Sequence, residues 1–102
     1  MKSKILVFGA GGHASVIVEA LIRSGHHVVA GFIDEVAPDR RGEKIGEATI
    51  LGGLEAVDDA LLRGVGCAAV AIGDNAARQR LADFVLQKGM ELPLIQDPSA
   101  TI

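Results

Sequence analysis

The chain has 102 residues, 49% hydrophobic and 23% charged, with a formal charge of -3 at pH 7. That composition excludes a disordered chain, and the length suits one core and one domain over residues 1–102. The acidic balance lacks the basic footprint of a nucleic-acid binder, and the short apolar run after Met1-Lys2-Ser3-Lys4 suits neither a signal peptide nor a spanning helix.

These features set the expectation of a cytoplasmic domain with no membrane or nucleic-acid partner. A single cysteine, Cys67, excludes a disulfide within one chain and reads as a buried small hydrophobe.

In chain order, Ile5-Leu6-Val7-Phe8 is wholly apolar and ends at Gly9, which favours a buried strand. From His13 to Ser24, Ala14, Ile17, Val18 and Leu21 share one helical face. Val16, Ala20 and Ile22 widen that face, so the helix is expected to be largely buried. His27 to Ile33 reads as a second strand closing on Asp34-Glu35. The polar segment from Val36 to Thr49 reads as a loop leading to a minor strand at Ile50-Leu51.

Leu54 to Arg63 reads as a short helix and Cys67 to Ile72 as a strand. Asp74 or Asn75 can cap a further helix running to about Lys88. Leu92 to Ile95 reads as a last short strand. Strand and helix alternate throughout, the pattern of an α/β domain with an open parallel sheet, doubly wound, with helices on both faces. Aromatics make up only 3% of the chain, and its small branched residues suit strands covered on both sides.

Gly9-Ala10-Gly11-Gly12-His13-Ala14 fits G-x-G-x-x-[GA] between a strand and a helix, where that motif binds phosphates. Gly9 permits the tight turn, Gly11 lets the backbone approach a diphosphate, and Ala14 allows close helix packing. The free amides of the helix start then face the anion. The loop signals a nucleotide without saying which one. His13 could hydrogen-bond the ligand or simply pack at the helix start.

Asp34 stands where a ribose- or base-reading carboxylate belongs, although a solvated acid at a strand end fits the same position. Glu35 is divided evenly between the same two roles. Gly73-Asp74-Asn75 forms a second strand-to-helix junction at the same sheet edge. One of Asp74 and Asn75 is expected to cap the helix and the other to face the cleft. Arg78 in the first turn could reach a phosphate or sit in solvent. His13 and His26 lie at opposite ends of one helix, and His26 and His27 point to opposite faces. No metal site and no catalytic residue is expected.

Taken together, Leu6 to Ala14, Gly31 to Glu35, Ile50 to Gly53, Ala71 to Asn75 with Arg78, and Pro98-Ser99-Ala100 resemble the N-terminal domain of the sialic-acid O-acetyltransferase family. Its relatives include UDP-4-amino-sugar N-acetyltransferases. The resemblance implies a Rossmann-like domain that holds a UDP-sugar. Gly11, Gly12 and His13 would cradle the diphosphate, Asp34 and Glu35 would contact uracil or ribose, and Gly73 and Asn75 would line the cleft.

In that family a C-terminal left-handed β-helix binds acetyl-CoA, carries the catalytic histidine and forms a homotrimer. No hexapeptide repeat follows in the sequence, so the chain alone is expected not to transfer acetyl groups. A stand-alone NAD(H)- or nucleotide-binding regulatory module uses the same loop and Asp34, and stays open as the alternative.

Overall fold

Alternation along the first strand decides how the domain is layered. In β1 (Ser3–Phe8), Ile5 and Val7 face one side and Leu6 and Phe8 the other, and all four are buried. A strand buried on both faces needs a covering layer on each. The computed structural model describes residues 3–9, 12–36, 38–45, 48–72 and 74–92, with backbone alone at residues 12–15 and 38.

One layer is α1 (Gly12–Ser24), which lays Ile17, Val18 and Leu21 over Ile5, Val7 and Phe32. The opposite layer is α2 (Val57–Leu62) with α3 (Asn75–Gln87). There Val57, Ala60, Leu81 and Val85 pack on Leu6, Phe8 and Ile33.

The remaining strands are β2 (His27–Ile33), β3 (Lys44–Ile45), β4 (Ala48–Gly52) and β5 (Cys67–Val70). Their order in the sheet is β3-β4-β2-β1-β5. β1 pairs in parallel with β2 on one side and with β5 on the other, and β4 runs parallel to β2. The chain winds outward through β2 and β4, then returns past β1 to β5. The strand order therefore reverses between β1 and β5, where open α/β sheets take their ligands.

Several local expectations need correction. The sheet is not parallel throughout, because β3 runs antiparallel to β4, with Lys44 opposite Thr49 and Ile45 opposite Ala48. The segment read as a loop from Val36 to Thr49 thus holds a 3-10 turn at Pro38–Arg40 and a hairpin, and β4 starts at Ala48. The helix expected over Leu54 to Arg63 is a 3-10 turn at Leu54–Ala56 followed by α2. β5 stops at Val70, two residues short of the expected end.

Of the last expected strand, residues 93–95 lie outside the described residues. Just before it, Glu91 bridges Cys67 in parallel, and the Ala68 N–H donates to the Glu91 carbonyl at 2.9 Å.

Helix α1 is also less buried than expected. Ala20 and Leu21 are buried, whereas Val16 and Ile22 are 57% and 70% exposed. On a wheel of 100° per residue those two fall about a third of a turn to either side of the Ile17–Leu21 stripe. Among the described residues the β2-to-β4 crossover carries a 3-10 turn and β3 rather than a helix, so it lays no second helix beside α1. Cys67 is half-buried rather than enclosed, and burial, aided by the Glu91 charge, raises its thiol pKa. Among the described residues no helix is long and apolar enough to cross a membrane.

Candidate functional site

At the carboxyl edge of the sheet, three strand ends meet on Gly9. Its N–H donates to the Ile33 carbonyl at 2.7 Å, and the Ala71 N–H donates to the Phe8 carbonyl at 2.8 Å. Gly9 has φ of +110°, and a Cβ there would stand 2.7 Å from the Ala71 oxygen. The backbone itself therefore demands glycine at this turn. Helix α1 opens at Gly12, immediately beyond the turn. Ala10, Gly11 and Gly73 lie outside the described residues, as does the side chain of His13, so the expected phosphate cradle is placed only by the elements on either side of it.

Asp34 follows β2 and is only 7% exposed, which removes the reading of a solvated surface acid. Its N–H donates to the Gly52 carbonyl at 2.9 Å. Its Oδ1 accepts the Val36 N–H at 3.1 Å, and its Oδ2 pairs with Arg40 Nη1 at 3.3 Å. Arg40 also donates from Nε to Glu43 at 3.2 Å. Asp34 thus anchors the polar segment that runs back to the edge of β4, where the Gly42 N–H reaches the Ile50 carbonyl at 2.9 Å.

Asp34→Ala is expected to destabilise the domain by about 1–3 kcal/mol, because it takes the acceptor from the Val36 N–H and one of the partners from the Arg40 guanidinium. Asp34→Asn, which keeps the Oδ1 acceptor, is expected to lose less. Urea unfolding of both variants checks the order, and equal stabilities would remove Asp34 from the anchor.

Glu35 turns the other way. Both of its oxygens are held by Arg80 of α3, with Arg80 Nη1 2.6 Å from Oε2 and Nη2 on Oε1. This hydrogen-bonded pairing holds the Glu35 carboxyl below the usual glutamate range. A depressed carboxylate stabilises the fold above its ordinary pKa, and that contribution is lost as pH falls through the lowered value.

β2 and β5 flank β1, so the pair joins the end of β2 to the helix that follows β5, across the carboxyl end of β1. Arg80 was not visible from sequence. It lies 45 residues from Glu35, and no local pattern marks it.

At the junction after β5, Asp74 is the helix cap. Its side chain accepts the Ala77 N–H at 2.8 Å. Asn75 is exposed and accepts from Arg78 Nη2 at 2.6 Å. The division expected between Asp74 and Asn75 holds as far as the cap is concerned. Arg78 is exposed and occupied by Asn75.

A shallow groove of about 580 Å³ runs along α3, lined by Leu54, Ala76, Arg80 and Phe84. A second, of about 750 Å³, lies between α2 and the sheet and includes Lys4, Arg41 and Arg63. Among the described residues no group of three or more His, Cys, Asp or Glu side chains could hold a metal ion. What gathers at the carboxyl edge is suited to binding. Helix-start amides match a diphosphate, and carboxylates match hydroxyl and ring N–H donors.

Comparison with known proteins gives this geometry a context. The model of the PglD N-terminal domain matches residues 4–85. A mutant of perosamine N-acetyltransferase from Caulobacter crescentus, solved with CoA and GDP-perosamine, is 30% identical with a TM-score of 0.86. The alignment covers 97% of this chain and 45% of that one. The acetyltransferase domain of PglB from Neisseria gonorrhoeae FA1090 is 25% identical with a TM-score of 0.77, over 98% of this chain and 47% of that one.

The Rex-family repressor RSP, at 24% identity, a TM-score of 0.67, and coverage of 99% of this chain and 51% of that one, shares the fold. No curated protein matches the sequence. The chain spans less than half the length of either acetyltransferase chain. With the family model matching four fifths of its residues, the chain belongs to the PglD N-terminal domain family.

Proposed function

We propose that this domain holds the sugar nucleotide for a sugar acetyltransferase that uses acetyl-CoA. The observation that carries the reading is the carboxyl edge. There the Gly9 turn, the start of α1 and the Asp74-capped start of α3 open side by side where the strand order reverses. The diphosphate would lie against Gly11, Gly12 and His13. The nucleoside would lie toward Asp34 and Glu35, and the sugar along Gly73, Asp74 and Asn75.

In the parent reaction a sugar amine attacks the acetyl thioester. A C–N bond forms, the C–S bond breaks, the amine proton passes to a base, and CoA leaves. The base, the acetyl-CoA site and the trimer contacts are assigned to a C-terminal β-helix outside this chain. The setting that goes with this reading is the cytoplasm. The sequence resemblance favours a UDP-sugar, whereas the Caulobacter neighbour holds GDP-perosamine.

Calorimetric titration with UDP-GlcNAc, GDP-mannose and NADH tests the reading directly. Saturable binding of a sugar nucleotide without NADH binding is the expected result, and the preferred one identifies the base. Binding of NADH alone would make this a dinucleotide-sensing regulatory module instead. Gly11→Val is expected to abolish sugar-nucleotide binding by placing a side chain where the diphosphate must approach, with an unfolding curve close to wild type. Unchanged affinity would remove the loop from the site.

A further inference from the structure

We propose that Arg80 is a positioning residue of this cleft, holding the Glu35 carboxylate in one orientation at the carboxyl end of β2. The inference rests on the sugar-nucleotide reading and adds to it a residue that neither the motifs nor the resemblance singled out. At this end of β2 stand two carboxylates, and they are differently placed. Asp34 is buried, with its oxygens on Val36 and Arg40. The Glu35 side chain is 25% exposed. Each Glu35 oxygen spends one acceptor position on Arg80 and keeps another for a ligand hydroxyl or ring N–H.

An untethered glutamate at a strand end samples many rotamers, and binding must freeze them. The planar fork of Arg80 freezes them in advance, as a lysine's single point charge would not. The anchor sits on a separate element, in the second turn of α3, and so fixes Glu35 relative to the helix that follows β5. Arg80 is the charged group acting on Glu35, and Asp74 acts in turn on Arg80. With the Arg80 side chain 56% exposed, water screens the pair, so its contribution to stability is small. Its consequence is geometric.

The test titrates the 102-residue chain with UDP-GlcNAc and GDP-mannose and follows thermal unfolding in parallel. Arg80→Ala is expected to raise Kd about tenfold for the sugar nucleotide that wild type binds, with little change in Tm. Arg80→Lys, which keeps the charge without the fork, should bind between the two. The exchange Glu35→Arg with Arg80→Glu rebuilds the ion pair but moves the carboxylate to α3. It should keep a Tm close to wild type and not restore affinity.

Binding by Arg80→Ala within about twofold of wild type, or affinity restored by the exchange, would overturn the role of Arg80 and leave the site intact. A wild type that binds neither probe would overturn both the site and the positioning role.

Discussion

Gly9→Ala is expected to destabilise the domain by about 3 kcal/mol, combining a strained backbone with a steric clash, each of order 1–3 kcal/mol. At φ of +110° an L side chain is strained before any neighbour is considered. The added Cβ would then meet the Ala71 oxygen at 2.7 Å and Ile72 Cγ1 at 3.0 Å. The oxygen belongs to the backbone just beyond β5, which is tied to Phe8 and cannot move away alone.

Gly25 supplies the control. It also has positive φ, at +71°, but a Cβ there meets nothing within 4 Å. Gly25→Ala should therefore cost about 1 kcal/mol, the conformational part alone. Thermal or urea unfolding of the two variants measures the difference. Equal losses would show that the approach of Ala71 adds nothing to the demand for glycine at position 9. This variant also differs in kind from Gly11→Val, since it strikes the joint of the sheet rather than the space left for a ligand.

Much of this fold was legible because local and tertiary preferences agree. Ile5 to Phe8 is apolar on both sides, and a strand covered on both faces is what it forms. Asp74 carries its capping function in its own chemistry, one short acceptor ahead of free amides, and it caps α3. The antiparallel edge was not legible. β3 has two residues, neither flanked by an apolar pattern, and its pairing depends on a segment that Asp34 and Arg40 hold from a distance.

The exposure of Val16 and Ile22 was hidden for a related reason. Periodicity marks which way residues point but not what covers them, and among the described residues the β2-to-β4 crossover lays no helix beside α1. At the site, the sequence marks the glycine turn and both carboxylates by position. It could not distinguish a buried Asp34 from a half-buried Glu35, because partners six and 45 residues away decide the difference.

Phe8→Ala is expected to cost about 3–5 kcal/mol, a large part of the roughly 5–15 kcal/mol that stabilises a domain of this size. Phe8 is 1% exposed and ends β1, so its ring sits directly beneath the Gly9 turn in sequence and faces α3. It meets the Phe84 ring edge-on, with centroids 6.3 Å apart and planes at 68°, a geometry worth about 0.5–1.5 kcal/mol beyond the area buried. Phe84 stands one turn after Arg80 on the same helix and carries Lys88 Nζ 5.6 Å from its ring centroid.

Phe8 is thus one of the packing contacts that seat α3 against β1, and the Glu35–Arg80 pair is a polar contact between the end of β2 and the same helix. Removing the ring should therefore weaken sugar-nucleotide binding along with stability, whereas a core truncation on another helix should affect stability alone. Val57→Ala, at the buried start of α2, is the comparison, with a smaller expected loss of stability. Urea unfolding gives each loss, and titration at a temperature where both variants remain folded gives each Kd. If Phe8→Ala binds as Val57→Ala does, the seating of α3 does not matter to the cleft. A Kd raised only in Phe8→Ala makes the end of β1 the point where packing and binding are joined.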